Sequence, residues 1–193
     1  MTHFRTKDLN TLEVKGLKKI SQAKRQEKKA DITILILDKI DFKTKAMKRQ
    51  TEDHFIILKG RIQQEDISIV DIYASNIGPP KYIKKILEDF KKDIDSNKII
   101  AGDFNTPLSK IDRSSKQNIN KDIGALNNVR DRMDLTDIYR ERAFYPKEVK
   151  YTFFSNAHGT FSKLHHMRGH NTSLNKFQKI EIISSIFSDY KCL

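Results

Sequence analysis

Two short runs carry residue types that act on phosphate esters. In Ile99-Ile100-Ala101-Gly102-Asp103-Phe104-Asn105-Thr106-Pro107 an apolar stretch ends in glycine, then presents a carboxylate and an amide. Asp103 can take a proton from water or help hold a divalent cation, and Asn105 can donate to a phosphate oxygen. The same residue types also favour a plain strand-to-loop turn, and the run alone leaves both readings open. Asp71-Ile72-Tyr73-Ala74-Ser75-Asn76 brings a phenol and an amide to the end of another apolar run, where Tyr73 and Asn76 can contact phosphate. On its own this is a weaker signal, because a tyrosine at a strand end is more often a packed edge residue.

Other chemistries have less support. His158, His165, His166 and His170, with Cys192, invite a metal-site reading. Gly169 argues against a helix carrying His166 and His170 on one face, and no paired-cysteine motif is present. The histidines are read as loop residues. Without a GxxxxGKS/T, GxGxxG or GxSxG pattern, kinase, nucleotide-binding and serine-hydrolase functions lack support.

The elements that must position these residues follow from periodicity. Residues 32–37 are apolar and β-branched and read as a strand, as do 54–58 and 67–73, with Glu65-Asp66 in the connection between the last two. Pro79-Pro80 opens a helix, since proline is tolerated in a first turn. Tyr82, Ile83, Ile86, Leu87, Phe90 and Ile94 fall on one face of it, and Lys84/Glu88 and Lys85/Asp89 pair on the other. Residues 98–101 form a strand that delivers Asp103, and residues 109–120 form a long loop. A helix spans 120–133, with Ile123, Leu126, Val129, Arg130 and Met133 on one side. A short element surrounds Ile138 and Tyr139, and strands are expected at 151–154 and 180–183. This mixed order predicts sheets with helices packed outside them.

Composition narrows the partner. The formal net charge is +12, which points to a polyanion, above all nucleic acid. Residues 1–50 hold 14 Lys/Arg and 6 Asp/Glu, so 14 − 6 = +8 of the charge sits there. Lys24-Arg25-Gln26-Glu27-Lys28-Lys29 is expected to be an exposed hairpin or disordered. With a single cysteine, no intramolecular disulfide forms. No signal peptide or membrane span is visible, and an intracellular chain, nuclear or cytoplasmic, is expected.

The runs 71–76, 101–108, 138–140, 151–155, 162–166 and 188–189 together resemble the endonuclease domain of LINE-type (non-LTR) retrotransposon polyproteins, of the DNase I-like endonuclease/exonuclease/phosphatase superfamily. The resemblance runs through nearly the whole chain in order and spacing. It implies an α/β (α+β) fold, a four-layered sandwich of two mixed β-sheets flanked by helices. It also implies a Mg²⁺-dependent hydrolase that nicks one DNA strand, leaving a 3′-hydroxyl that primes reverse transcription. On that resemblance Asp103 aligns or activates water, Asn105 stabilises the pentavalent phosphate and Tyr73 binds the scissile phosphate. Asp189 belongs to the same catalytic set, and Arg113, Thr152 and Asn76 lie near DNA. DNA is the implied partner, with no membrane and no small-molecule cofactor.

The chain departs from the family pattern in four places. The first-strand asparagine is absent, and Met1 stands where the metal-binding glutamate belongs. His165 occupies the aspartate position in Ser162-Lys163-Leu164-His165-His166. Tyr190 replaces the histidine in Ser188-Asp189-Tyr190. A last core strand is missing after Leu193, so one partial domain over 1–193 lacks strands at both ends, with 1–30 poorly ordered. Groups that act as a unit lose most of their effect together, so cleavage and metal binding are expected to be impaired. A non-catalytic nucleic-acid-binding fragment, and a translated fragment with no function of its own, are the alternatives.

Overall fold

The computed structural model describes residues 17–23, 32–50, 54–91, 97–115, 119–142 and 151–177. Five strands come first: β1 (Leu17–Ala23), β2 (Ile32–Leu37), β3 (Phe42–Gln50), β4 (Phe55–Ile62) and β5 (Glu65–Tyr73). Helix α1 (Pro79–Asp89), β6 (Lys98–Asp103), a 3-10 turn (Lys110–Asp112), α2 (Lys121–Arg132), β7 (Leu135–Asp137) and α3 (Ile138–Arg142) follow. Then come β8 (Phe153–Ser155), β9 (Thr160–Ser162), β10 (His165–His170) and a second 3-10 turn (Asn171–Lys176).

Six strands form one mixed sheet in the order β3-β4-β5-β6-β10-β7. Only β5 and β6 run parallel among these pairs. Parallel neighbours need a crossover, and α1 supplies it. Strands β1 and β2 form an antiparallel ribbon, and β8 and β9 a small hairpin.

β4 shows why the sheet has two covered faces. Side chains alternate along a strand, yet Phe55, Ile56, Ile57 and Leu58 are all buried. Phe55 and Ile57 join Val70, Ile72 and Ile100 against Ile83, Ile86 and Leu87 of α1 and Leu126, Val129 and Met133 of α2. Ile56 and Leu58 pack instead with Ile34 and Ile36 of β2. The β1-β2 ribbon is therefore a second sheet layer opposite the helices. Each of these side chains contributes on the order of 2 kcal/mol by leaving water. With no tryptophan in the chain, isoleucine and phenylalanine supply most of this core.

Local signals explain the element ends. The Asn120 side chain accepts from the Ile123 N–H at 2.9 Å and caps α2. Lys84 and Glu88 stand 3.9 Å apart across one turn of α1. Among the described residues, no helix is long and apolar enough to cross a membrane.

Several expectations need correction. Gln63 and Gln64, with φ of 48° and 70°, make the β4-β5 turn, and Glu65-Asp66 lies within β5. Two consecutive positive-φ residues match the twist of a hairpin. β1 falls inside the basic segment expected to be poorly ordered. β3, β7, β9 and β10 were not expected at all. β3 lies at the edge of the six-stranded sheet, and its residues from Lys43 to Arg49 are exposed. An edge strand needs no apolar stripe, so it leaves no periodic signature. His165, His166 and His170 belong to β10 and not to a loop. The residues at 24–29 and the strand expected at 180–183 lie outside the described residues.

Gly102 is required by the close pairing of β5 and β6. It sits opposite Ile72 with φ of 129°, and a Cβ there would stand 2.0 Å from the Ile72 carbonyl oxygen. Gly102→Ala should lower the unfolding free energy by about 2 kcal/mol or more. Urea denaturation checks this: the midpoint should fall with the slope unchanged.

Candidate active site

The strand registers bring three side chains into one row. Tyr73 pairs with Asp103 across β5 and β6, and Asp103 pairs with His165 across β6 and β10. Directly paired residues share a face of a sheet. This row lies on the face covered by the β1-β2 ribbon, where Tyr73 packs at the margin of the Ile56 and Leu58 cluster.

Asn105 completes the group through an unusual backbone. Its φ is 47°, a left-handed conformation that asparagine tolerates better than most residues. The Asp103 Oδ1 accepts the Asn105 N–H at 2.9 Å and fixes that turn. The Asn105 Nδ2 donates to the Ala74 carbonyl at 2.7 Å, while the Ala74 N–H donates to the Asp103 carbonyl at 2.8 Å. The loops leaving β5 and β6 are thus laced together at the site.

The electrostatics suit Tyr73 to donation. Burial pushes its hydroxyl pKa up, the Asp103 charge pushes it further, and a hydrogen bond with Asn105 opposes them. The net shift is upward, so the phenol keeps its proton at neutral pH. The His54 ring meets the Tyr73 ring edge-on, with centroids 5.9 Å apart.

His165 closes the row. Its Nε2 lies 3.9 Å from the Asp103 Oδ2, with the imidazole 56% exposed and the carboxylate 17% exposed. The Thr152 hydroxyl oxygen accepts the Leu164 and His165 N–H groups at 3.0 and 3.2 Å. Thr152 thereby sets the start of β10. Arg113 bridges to Ser162 on the small hairpin, and Asn76 is exposed three residues beyond Tyr73. Met1, Asp189 and Tyr190 lie outside the described residues.

The donor set does not suit the Mg²⁺ that the resemblance implies. Mg²⁺ takes hard oxygen ligands in octahedral geometry. Here one Asp103 oxygen faces a backbone N–H and the other faces an imidazole. Among the described residues, no three His, Cys, Asp or Glu side chains converge on a metal position.

A buried ionic network, not anticipated from the sequence, backs the site. Asp112 is fully buried and accepts from the Leu108 and Ser109 N–H groups, the Ser109 hydroxyl and Arg140, at 3.0, 2.8, 2.8 and 2.8 Å. Lys163, only 2% exposed, donates to Asp137 at 3.0 Å. Burial pushes the Asp137 carboxyl pKa up, but Arg168 and Lys163 outweigh it and hold the pKa below the usual range. His166 meets the Thr106 carbonyl through Nε2 at 3.1 Å, one residue past Asn105. Burial, then the Arg168 charge, drives its pKa down to about 3, so the ring is neutral. Isolated polar residues such as these carry no periodic signal; the adjacent His165-His166 pair is the one sequence hint.

Asp71 is the other unanticipated group. It stands two residues before Tyr73 on the same face, paired with Ala101. Burial pushes its pKa up to about 7, partly opposed by a backbone hydrogen bond from Ile72.

No family model matches the sequence. Solved structures do match. The endonuclease domain of TRAS1, a telomere-specific non-LTR retrotransposon, superposes with a TM-score of 0.59 at 11% identity, over 84% of this chain and 70% of that one. D. rerio TDP2 complexed with single strand DNA product gives 0.60 at 9% identity, over 88% and 70%. Truncated Caenorhabditis elegans TDP2 gives 0.53 at 11% identity, over 86% and 67%. At such identities the likeness establishes the fold alone: this chain has the DNase I-like α+β architecture.

Asp71 makes stability depend on pH in a defined direction. Its folded pKa of about 7 lies above the ordinary 3.8. Between those values the folded state binds more protons, so stability falls as pH rises. Asp71→Asn should raise the Tm at pH 8, by an amount on the order of 2 kcal/mol in stability. The gain should shrink toward pH 4; thermal melts across that range giving a constant gap would contradict burial as the cause.

Proposed function

We propose that this chain is a LINE-type endonuclease domain that binds DNA and whose phosphodiester cleavage is impaired, with His165 one of the several positions that depart from the family pattern. The observation that carries the reading is the Tyr73-Asp103-His165 row with Asn105 beside it, on a DNase I-like fold. A phosphate oxygen accepts from the protonated Tyr73 hydroxyl and from the second N–H of the Asn105 amide. The Asp103 carboxylate aligns a water or takes its proton. At the position where the family places a carboxylate, His165 supplies an imidazole, which lacks the negative charge. The remaining groups can hold and orient a phosphodiester, and among the described residues no second carboxylate joins Asp103 in the row.

The net charge of +12 supports a second reading, in which nucleic-acid binding alone remains. Such binding weakens steeply with added salt.

Nicking of supercoiled plasmid with Mg²⁺ or Mn²⁺ tests the proposal. The unaltered chain should nick no faster than Asp103→Ala, and His165→Asp alone should stay within about tenfold of both, because groups that act as a unit are not restored one at a time. Brisk nicking by the unaltered chain that Asp103→Ala abolishes would refute the impairment. A gain well beyond about tenfold from His165→Asp would show that His165 alone accounts for the deficit and would overturn the multi-site reading. Binding-only behaviour would appear as salt-sensitive retention of duplex with no nicking by any variant.

A further inference from the structure

The six-stranded sheet ends on β3, and among the described residues nothing pairs with the outer side of that strand. β3 runs for 9 residues and contains no proline, whereas edge strands are commonly short, broken or covered. Its register shifts once, between Thr44 and Ala46, and the pairing of residues 46–50 beyond that point is regular. A row of outward amides and carbonyls is left open there.

Lysines on an edge ordinarily discourage pairing. Here two of them lean inward and leave the backbone row uncovered. The Lys45 ammonium crosses β4 to reach Asp66 of β5 at 2.6 Å, where Arg61 also binds at 2.8 Å. The Lys48 ammonium lies 4.6 Å from the centroid of the Phe90 ring, at the end of α1. Lys43 stands 3.5 Å from Asp41, with both side chains exposed.

The two faces of the edge differ. Lys43 and Lys48 are paired with Arg61 and Ile57, on the helix-covered face. Met47 and Arg49 are paired with Leu58 and Ile56, on the ribbon face, and Met47 is 41% exposed. β3 and β4 together carry Lys43, Lys45, Lys48, Arg49, Lys59 and Arg61, and neither strand contains a carboxylate. An extended chain laid alongside would stand about 4.8 Å away and turn alternate side chains to the two faces. Its main chain would complete the ladder, and its side chains would decide which sequence fits. A nucleic acid could use the cations but has no amide row to offer.

We propose that β3 is a docking edge for an acidic, extended segment of a partner protein. The segment joins the sheet as a further strand, with carboxylates beside Lys43 and Lys48 and an apolar side chain beside Met47. The edge lies two strands from β5, which carries Tyr73, so the proposal stands apart from the DNA-cleavage reading.

Fluorescence anisotropy of a labelled, capped peptide alternating glutamate with valine, titrated with the full chain at low salt, tests it. The peptide should bind, and the double variant Lys43→Glu, Lys48→Glu should bind it about tenfold more weakly, since opposite charges become like charges across the strands. Both positions are exposed, and near-UV circular dichroism should match the unaltered chain. The same peptide with every amide N-methylated keeps its charge but cannot donate to the ladder, and it should lose binding. Equal binding by the N-methylated peptide would overturn strand addition, and so would no binding of the first peptide. A variant that loses a single-stranded oligonucleotide but keeps the peptide would assign the patch to nucleic acid and overturn the proposal. Sedimentation showing a dimer that the variant splits, with no peptide bound, would assign the edge to a second copy of the chain and overturn it as well.

Discussion

Two buried carboxylates, Asp112 and Asp137, govern how the site end of the molecule is assembled. A charge removed from water is costly unless it is paired and fully hydrogen-bonded. Asp112 meets that condition by gathering the backbone of residues 108–109 and the Arg140 guanidinium. Asp137 meets it by gathering Lys163, with Arg168 at 3.7 Å. The partners come from the loop after β6, from α3, from the β9–β10 connection and from β10. None of these segments can shift without stranding a charge, so the network fixes their relative positions. Asn105 and His165 inherit their placement from it, through Thr106 and His166 on one side and β10 on the other.

The strand registers supply a row, and the sequence fills it with a phenol, a carboxylate and an imidazole. The row's geometry does not depend on which side chain fills the third position, because the backbone register places it. That independence lets one architecture carry different side chains at the same place. Function follows from the side chains in the row and not from the sheet that carries them.

What could be read from the sequence divides along physical lines. α1, α2, β2 and the middle of β4 and β5 bury one or both faces, and burial imposes a period that a single sequence displays. Asp103 and Asn105 were legible because a buried strand ends in glycine just before them. The edge strand β3, the short β7 and the polar β10 were not, since their pairing rests on backbone bonds and on ionic partners distant in the chain. Reading His165, His166 and His170 as loop residues failed for that reason: His166 is buried by Phe104 and Thr106, some 60 positions earlier. His158 does lie in the turn between β8 and β9. Nothing in the sequence marks Asp71; only its burial within β5 pushes its pKa up to about 7.

The exposed lysines of β3 also bear on self-association. A sheet edge presents unpaired amides and carbonyls, and a second chain can extend the ladder there. Lys43, Lys45, Lys48 and Arg49 all lie along this strand. Two such strands brought side by side would set like charges within a few ångströms of one another. The edge is therefore self-repelling. Neutralising it, by high salt or by a bound polyanion, would remove the repulsion that keeps two such edges apart.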